Sequence, residues 1–340
     1  MHKPIFEFIS ANLKLLSIDE IKQLLAPVVK GMVVQSPVLD AGTHLYRARK
    51  FDNEFNKAAG INYADLIYPP KHKSKLGRLN RDKESVFYCS MGKEAPFFEL
   101  QDLQAGCELV LTFWRTTKVM YVNNIGYTKP IFDQLGASRP CPQWSAVNQP
   151  GTTARAVISI PDASQEQLEI AIAGDANREL RQALSSNFMY MVNEFETEKY
   201  KLTTAIGELH LGSINGDAEH FAGVLYPSVR MFANSDNFAL LPWFVDRHLS
   251  FRKALHIRID QVDGTTLSIT SLDCAKQFDE DGRLIWLGRV TCWTLQPGQT
   301  AKFIGTAGPD GDGDYETGSD GKACHWVAVD ALTGGAIEAA

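Results

Sequence analysis

The stretch Gly77 to Leu100, GRLNRDKESVFYCSMGKEAPFFEL, sets the strongest constraint on this chain. A basic loop (Arg78, Asn80, Arg81) leads into a β-prone run (Val86, Phe87, Tyr88), then Ser90, then a helix start ending in Glu99. Strand and helix must therefore meet within a few residues, which requires a mixed fold. Glu99 lies between Phe97, Phe98 and Leu100, and its carboxylate is expected to point inward among them. An unpaired buried charge is costly. Glu99 is thus either a structural cap or ion pair, or a group that waits for a cationic partner arriving with a substrate.

The chain has 340 residues, with 44% hydrophobic and 22% charged composition, as expected of a soluble globular protein with one main domain and a smaller unit. Its formal charge of -6 argues against a general nucleic-acid or anionic-membrane binder. A local basic patch remains at Lys71, Lys73, Lys75, Arg78 and Arg81, for which a solvated loop is an equally good reading. Cysteines at 89, 107, 141, 274, 292 and 324 form no C-x-x-C, so neither zinc nor a disulfide framework is expected and a reducing cytoplasm fits best. No secretory signal is visible. The apolar runs Leu109 to Trp114 and Phe238 to Val245 are far short of the roughly 20 residues that span a bilayer.

Residues 1–42 read as a helical arm, with a capping box at Ser17-Ile-Asp-Glu20 and a kink or break at Pro27. HLYRARKF from His44 reads as a strand with Leu45 and Arg47 on the face opposite Tyr46 and Ala48. Residues 50–76 make a long polar segment of the kind that forms lids or binding loops. Strands are expected near 107–114, 118–123, 154–160 and 222–227, no regular element over 124–152, and a helix-prone tract from 162 to 202 with breaks near Gly174 and Asp175, then helix again over 205–211. Residues 235–340 read as a β-rich extension with a flexible acidic loop at 305–322.

Common catalytic signatures are absent: there is no P-loop, no dinucleotide G-x-G-x-x-G, no G-x-S-x-G and no H-E-x-x-H. Asp310, Asp312 and Asp314 begin like a calcium loop, but Tyr315 and Gly321 stand where glycine and glutamate belong, so no metal is expected. Glu194, Glu196 and Glu198 form E-x-E-x-E, a pattern that serves some ADP-ribosyl transfer enzymes; beside Asn193, Lys199 and Lys201 it reads better as the polar face of a helix.

The order LYRAR (45–49), GRLN (77–80), VFYCS (86–90), APFFE (95–99) and VLYPSVR (224–230) resembles the RES-domain family over about residues 43–232. The resemblance implies an α+β, ADP-ribosyltransferase-like RES domain at 43–234 that degrades NAD as a toxin, with a cognate antitoxin or immunity protein as its partner. It places Arg47 (or Arg49), Glu99 and Ser228 in catalytic roles and Tyr88, Arg78, Asn80, Tyr46 and Ser90 around the substrate. NAD enters as substrate, with no other cofactor. Pro96 and the long 50–76 segment depart from the family pattern, and the last hundred residues have no counterpart in it.

The expected reaction is cleavage of the nicotinamide–ribose bond by a cytoplasmic NAD glycohydrolase. Glu99 would stabilise the oxocarbenium-like ribose, with Phe97 and Phe98 as apolar walls that exclude water. The alternatives are an ADP-ribosyltransferase acting on a macromolecule and a catalytically silent nucleotide-binding module. Water or phosphate as acceptor, and a homodimer, stay open.

Overall fold

The computed structural model of the chain describes residues 3–30, 32–142, 155–158, 174–190, 196–212, 221–264, 266–288, 291–295, 299–304 and 325–330. Two helices, Lys3–Ala11 and Ile18–Val29, open the chain. Ser17 Oγ accepts the Glu20 N–H at 3.2 Å while the Glu20 carboxylate accepts the Ser17 N–H at 2.7 Å, so the capping box forms as its residues require. Pro27 falls in the last turn and the helix continues past it to Val29. The arm does not stay helical to residue 42. Two short strands follow, β1 (Val33–Ser36) and β2 (Val38–Leu39), the second lying at an edge of the main sheet.

The strands of the mixed α+β fold continue as β3 (His44–Lys50), β4 (Phe87–Ser90), β5 (Glu108–Thr116), β6 (Met120–Asn124), β7 (Arg155–Ile158), β8 (Gly223–Pro227) and β9 (Asp236–Leu240). Then come β10 (Leu249–Asp263), β11 (Thr266–Phe278), β12 (Leu284–Trp286), β13 (Thr291–Leu295), β14 (Gln299–Ile304) and β15 (His325–Asp330). The main sheet runs β12-β11-β10-β5-β3-β4-β9-β8-β6-β2, with β13 also paired to β11. β9 sits between β4 and β8, and β10 pairs directly with β5, so the sheet continues across residue 234.

One junction in this sheet is thin. β3 follows β5 from His44↔Arg115 to Lys50↔Leu109, but it meets β4 only at Tyr46↔Ser90. Beyond that pair β3 and β4 part, and the gap is the only break of its kind along the sheet's centre among the described residues.

Each face of the sheet has its own core. Leu45 packs with Phe87, Trp114 and Phe238, whereas Tyr46 and Ala48 lie against Phe97, Leu111 and Leu255. This is the alternation that the LYRAR run demands. A third cluster gathers the N-terminal helices with helix Lys199–Gly212, through Ile21, Leu25, Leu202 and Ile206.

Residues 50–76 are not a lid. Phe55, Ile61 and Leu66 are buried in the main core, the last in a short helix, Tyr63–Leu66. Helix Lys129–Leu135 occupies part of the tract expected to be irregular, with Pro130 in its first turn and Gly136 closing it in the left-handed conformation at φ 73°. Helix Asp175–Phe188 precedes Lys199–Gly212, and Glu196 and Glu198 fall before the second of these rather than on it. Glu194 and the acidic tract 305–322 lie outside the described residues. Among the described residues, no helix is long and apolar enough to cross a membrane.

Candidate active site

A cavity of about 460 Å³ opens in the gap between β3 and β4. Strand ends that part in the middle of a sheet leave polar backbone and outward side chains facing one space, a common way for a fold to build a site. β3 supplies Arg47, Arg49 and Lys50 to one side, and β4 supplies Tyr88 and Ser90 to the other. Glu99 enters from helix Ala95–Glu99, and Asn237 from β9.

Glu99 does not point among its phenylalanines. It is exposed to the cavity, while Phe97 is fully buried in the cluster with Leu109 and Leu111 and Phe98 packs beside it. Side chains two apart on a helix differ by about 200° around its axis, so Phe97 can anchor the helix while Glu99 faces away. The expected apolar walls around the carboxylate are therefore absent, and what holds it is polar. Glu99 Oε1 accepts from Ser228 Oγ at 2.5 Å and from Asn237 Nδ2 at 2.7 Å. Among the described residues Oε2 makes no hydrogen bond.

Ser228 is fully buried behind the carboxylate and does not line the cavity. Its place is fixed by backbone on both sides: its N–H donates to the Ser235 carbonyl and its carbonyl accepts from Ala233 N, both at 2.8 Å. Phe232 and Ala233 in this loop take φ of 52° and 57°, a conformation that costs a non-glycine residue energy and must be held by its surroundings. Arg139 does part of this holding. Its Nε donates to the Ala233 carbonyl at 2.6 Å, and its guanidinium pairs with Asp236, which also accepts from Tyr127.

The arginines divide by what they touch. Arg47 donates to the Tyr88 carbonyl at 2.8 Å, bridging the parted strands. Burial lowers its guanidinium to about 10, with the neighbouring positive Arg49 acting in the same direction, and it remains a cation at neutral pH. Arg49 lies 3.7 Å above the Phe55 ring and donates to the Asp65 carbonyl at 2.9 Å, tying β3 to the 50–76 segment. Arg78 caps the end of helix Asp175–Phe188, donating to the Phe188 and Tyr190 carbonyls. Arg81 leaves the site altogether and pairs with Asp19 and Glu208.

Asn80 is also structural. It is 4% exposed, donates to the Lys75 and Arg81 carbonyls at 2.8 Å each, and accepts from Tyr88 Oη at 2.9 Å. It holds Tyr88 from behind rather than reaching the cavity. Tyr88 Oη in turn accepts from Leu79 N at 2.8 Å, so the ring has one orientation. Burial raises the Tyr88 phenol and the Tyr226 phenol, the latter also through the charge on Glu99, and both stay neutral. Tyr46 lines the cavity and meets Phe113 edge-on at 5.1 Å.

The lining residues not foreseen as site residues include Tyr200, Tyr226, Arg230 and Asn237. Tyr226 and Arg230 flank Ser228 in LYPSVR, where the signal lay in plain view. Asn237 offered a fainter one, an amide beside the apolar run Phe238–Leu240.

Among the described residues, Glu99 is the single acidic one in the cavity lining, against five basic ones: Arg47, Arg49, Lys50, Arg78 and Arg230. In a chain of net charge -6 this is a strong local reversal, suited to an anionic ligand with one cationic or developing-cationic centre. Among the described residues, no cluster of His, Cys, Asp and Glu could hold a metal ion. Compared with protein families, characterised proteins and solved structures, the chain has no match.

Proposed function

We propose that the chain is an NAD glycohydrolase with an ADP-ribosyltransferase-like RES arrangement, acting as a toxin by depleting NAD. The observation that carries this reading is Glu99, a carboxylate anchored through one oxygen and facing a cavity whose other charged groups, among the described residues, are all cationic. NAD has matching chemistry: a pyrophosphate with two negative charges, flat rings at both ends, and a pyridinium–ribose bond whose cleavage leaves positive charge on the ribose.

Nicotinamide is its own good leaving group. As the C1′–N bond breaks, its electron pair goes to the ring nitrogen, the pyridinium becomes neutral nicotinamide, and no acid is needed. The barrier lies in the oxocarbenium-like ribose left behind. The free Oε2 of Glu99, at the cavity wall, would face that charge and stabilise it electrostatically. Water then forms the new C1′–O bond and loses a proton to solvent, giving ADP-ribose.

Arg47 and Arg230 are the best placed to hold the pyrophosphate. Arg47 spends one N–H on Tyr88 and Arg230 is exposed at the cavity, whereas Arg78 is committed to helix carbonyls. An arginine offers five N–H donors, so Arg47 keeps donors for phosphate oxygens. Tyr46, Tyr88, Tyr200 and Tyr226 supply ring faces for the nicotinamide and its ribose.

The test is incubation of the purified protein with labelled NAD. Free ADP-ribose and nicotinamide support hydrolysis. Label retained on a macromolecule assigns the same site to transfer, and NAD bound without turnover assigns it to a silent binding module.

A further inference from the structure

Resting on the glycohydrolase reading, we infer that Asn237 is a positioning residue that selects which oxygen of Glu99 faces the substrate. Glu99 closes a helix of five residues and is followed by an extended Leu100, so its own backbone leaves a long side chain free to turn. Asn237 has no such freedom. It is 2% exposed on β9, in register with Ser90 on β4 and with Tyr226 on β8, so strands on both sides fix its position.

The amide has one orientation that satisfies both of its neighbours. Ser90 Oγ donates to Asn237 Oδ1 at 2.6 Å, and Asn237 Nδ2 donates to Glu99 Oε1 at 2.7 Å. Turning the amide over would bring its carbonyl oxygen against a carboxylate oxygen, which repels. The buried Ser90 hydroxyl, 3% exposed, thus sets the amide and the amide sets the carboxylate. Ser228 donates to the same Oε1, so both anchors converge on one oxygen and leave Oε2 to the cavity. A carboxylate held this way needs no reorientation as positive charge develops, which is where preorganised electrostatic stabilisation acts.

Asn237→Asp tests this directly: it keeps the shape and the acceptor for Ser90 but replaces the amide donor by a carboxyl group, so Glu99 Oε1 meets either a repelling carboxylate or a proton shared between the two carboxyls. With NAD as substrate, its kcat should fall about ten- to a hundredfold, the scale of a misplaced catalytic group, while KM changes less than about threefold. Ser90→Ala should give a smaller loss in kcat alone. On the Glu99→Gln background, Asn237→Asp should add no further loss, because the two side chains act as one unit. Thermal unfolding of each variant reports separately on folding.

Full kcat in folded Asn237→Asp overturns the inference and leaves the glycohydrolase reading standing. So does a loss that multiplies with that of Glu99→Gln, since the effect would then not pass through Glu99. A wild-type protein that leaves NAD intact overturns the reading, and the inference with it.

Discussion

Glu99 and Asn237 lie 138 residues apart in the chain and are joined by a 2.7 Å hydrogen bond in the lining of the cavity between β3 and β4. One comes from a short helix and the other from a central strand. Their meeting turns an exposed glutamate into a group with a defined direction, and the following expectations concern the parts around it.

Ser228→Ala removes the other anchor of Glu99. Because Ser228 is fully buried and its Oγ also accepts the Met231 N–H at 3.2 Å, the substitution should lower both kcat and stability. Expected values are about tenfold in kcat and about 1 kcal/mol in unfolding free energy, the usual worth of a buried hydrogen bond. Steady-state kinetics and urea denaturation measure the two separately. An unchanged kcat would remove Ser228 from the site.

The two arginines of β3 should separate by phenotype. Arg47 faces the cavity and bridges to Tyr88, so Arg47→Ala should raise KM for NAD about tenfold or more. Arg49 stacks on buried Phe55, and Arg49→Ala should show mainly as lost stability, about 1 kcal/mol. Kinetics and melting curves on the pair decide the assignment. The reverse pattern would make Arg49 the substrate-binding arginine.

His210 gives the fold an acid sensitivity away from the site. It is 5% exposed, its Nδ1 is 2.8 Å from the Ile206 carbonyl, and burial lowers it to about 4 from an ordinary 6.5. The unfolded chain therefore binds a proton that the folded chain refuses between those values, and stability falls as pH drops through that window. From pH 7 to pH 5 the loss should be about 2 kcal/mol from this residue. His210→Gln should flatten that dependence in urea midpoints taken at the two pH values.

Gly223 is where strands come too close for a side chain. A Cβ there would sit 2.0 Å from the Ala239 carbonyl oxygen, on backbone that cannot move without parting β8 from β9. Gly223→Ala should cost about 3 kcal/mol and, by shifting Asn237 on β9, also reduce turnover. Denaturation at wild-type strength would show that the sheet yields there.

Much of the local structure was legible. The capping box at Ser17–Glu20 and the alternation in HLYRARK lead directly to the helix and strand that form. Pairing was not legible, because alternation fixes the face of a strand and not its neighbours. The expected boundary at residue 234 passes just before β9, which looked like the start of an appended unit and instead fills the middle of the sheet. Glu99 was misjudged for a related reason. Flanking phenylalanines state what is near in sequence, while the helix turns them into the core and the carboxylate out of it. The resemblance placed Asn80 and Arg78 around the substrate, and polar side chains on a loop carry no sign in the sequence of their internal partners. The structure uses one to brace Tyr88 and the other to cap a helix.

The most direct measurement is release of nicotinamide and ADP-ribose from NAD by the wild-type protein and by Glu99→Gln. The account predicts turnover by the wild type and a loss of about a hundredfold or more in the variant, with the fold intact. Intact NAD after long incubation with folded wild-type protein, or a Glu99→Gln variant as fast as the wild type, would contradict it.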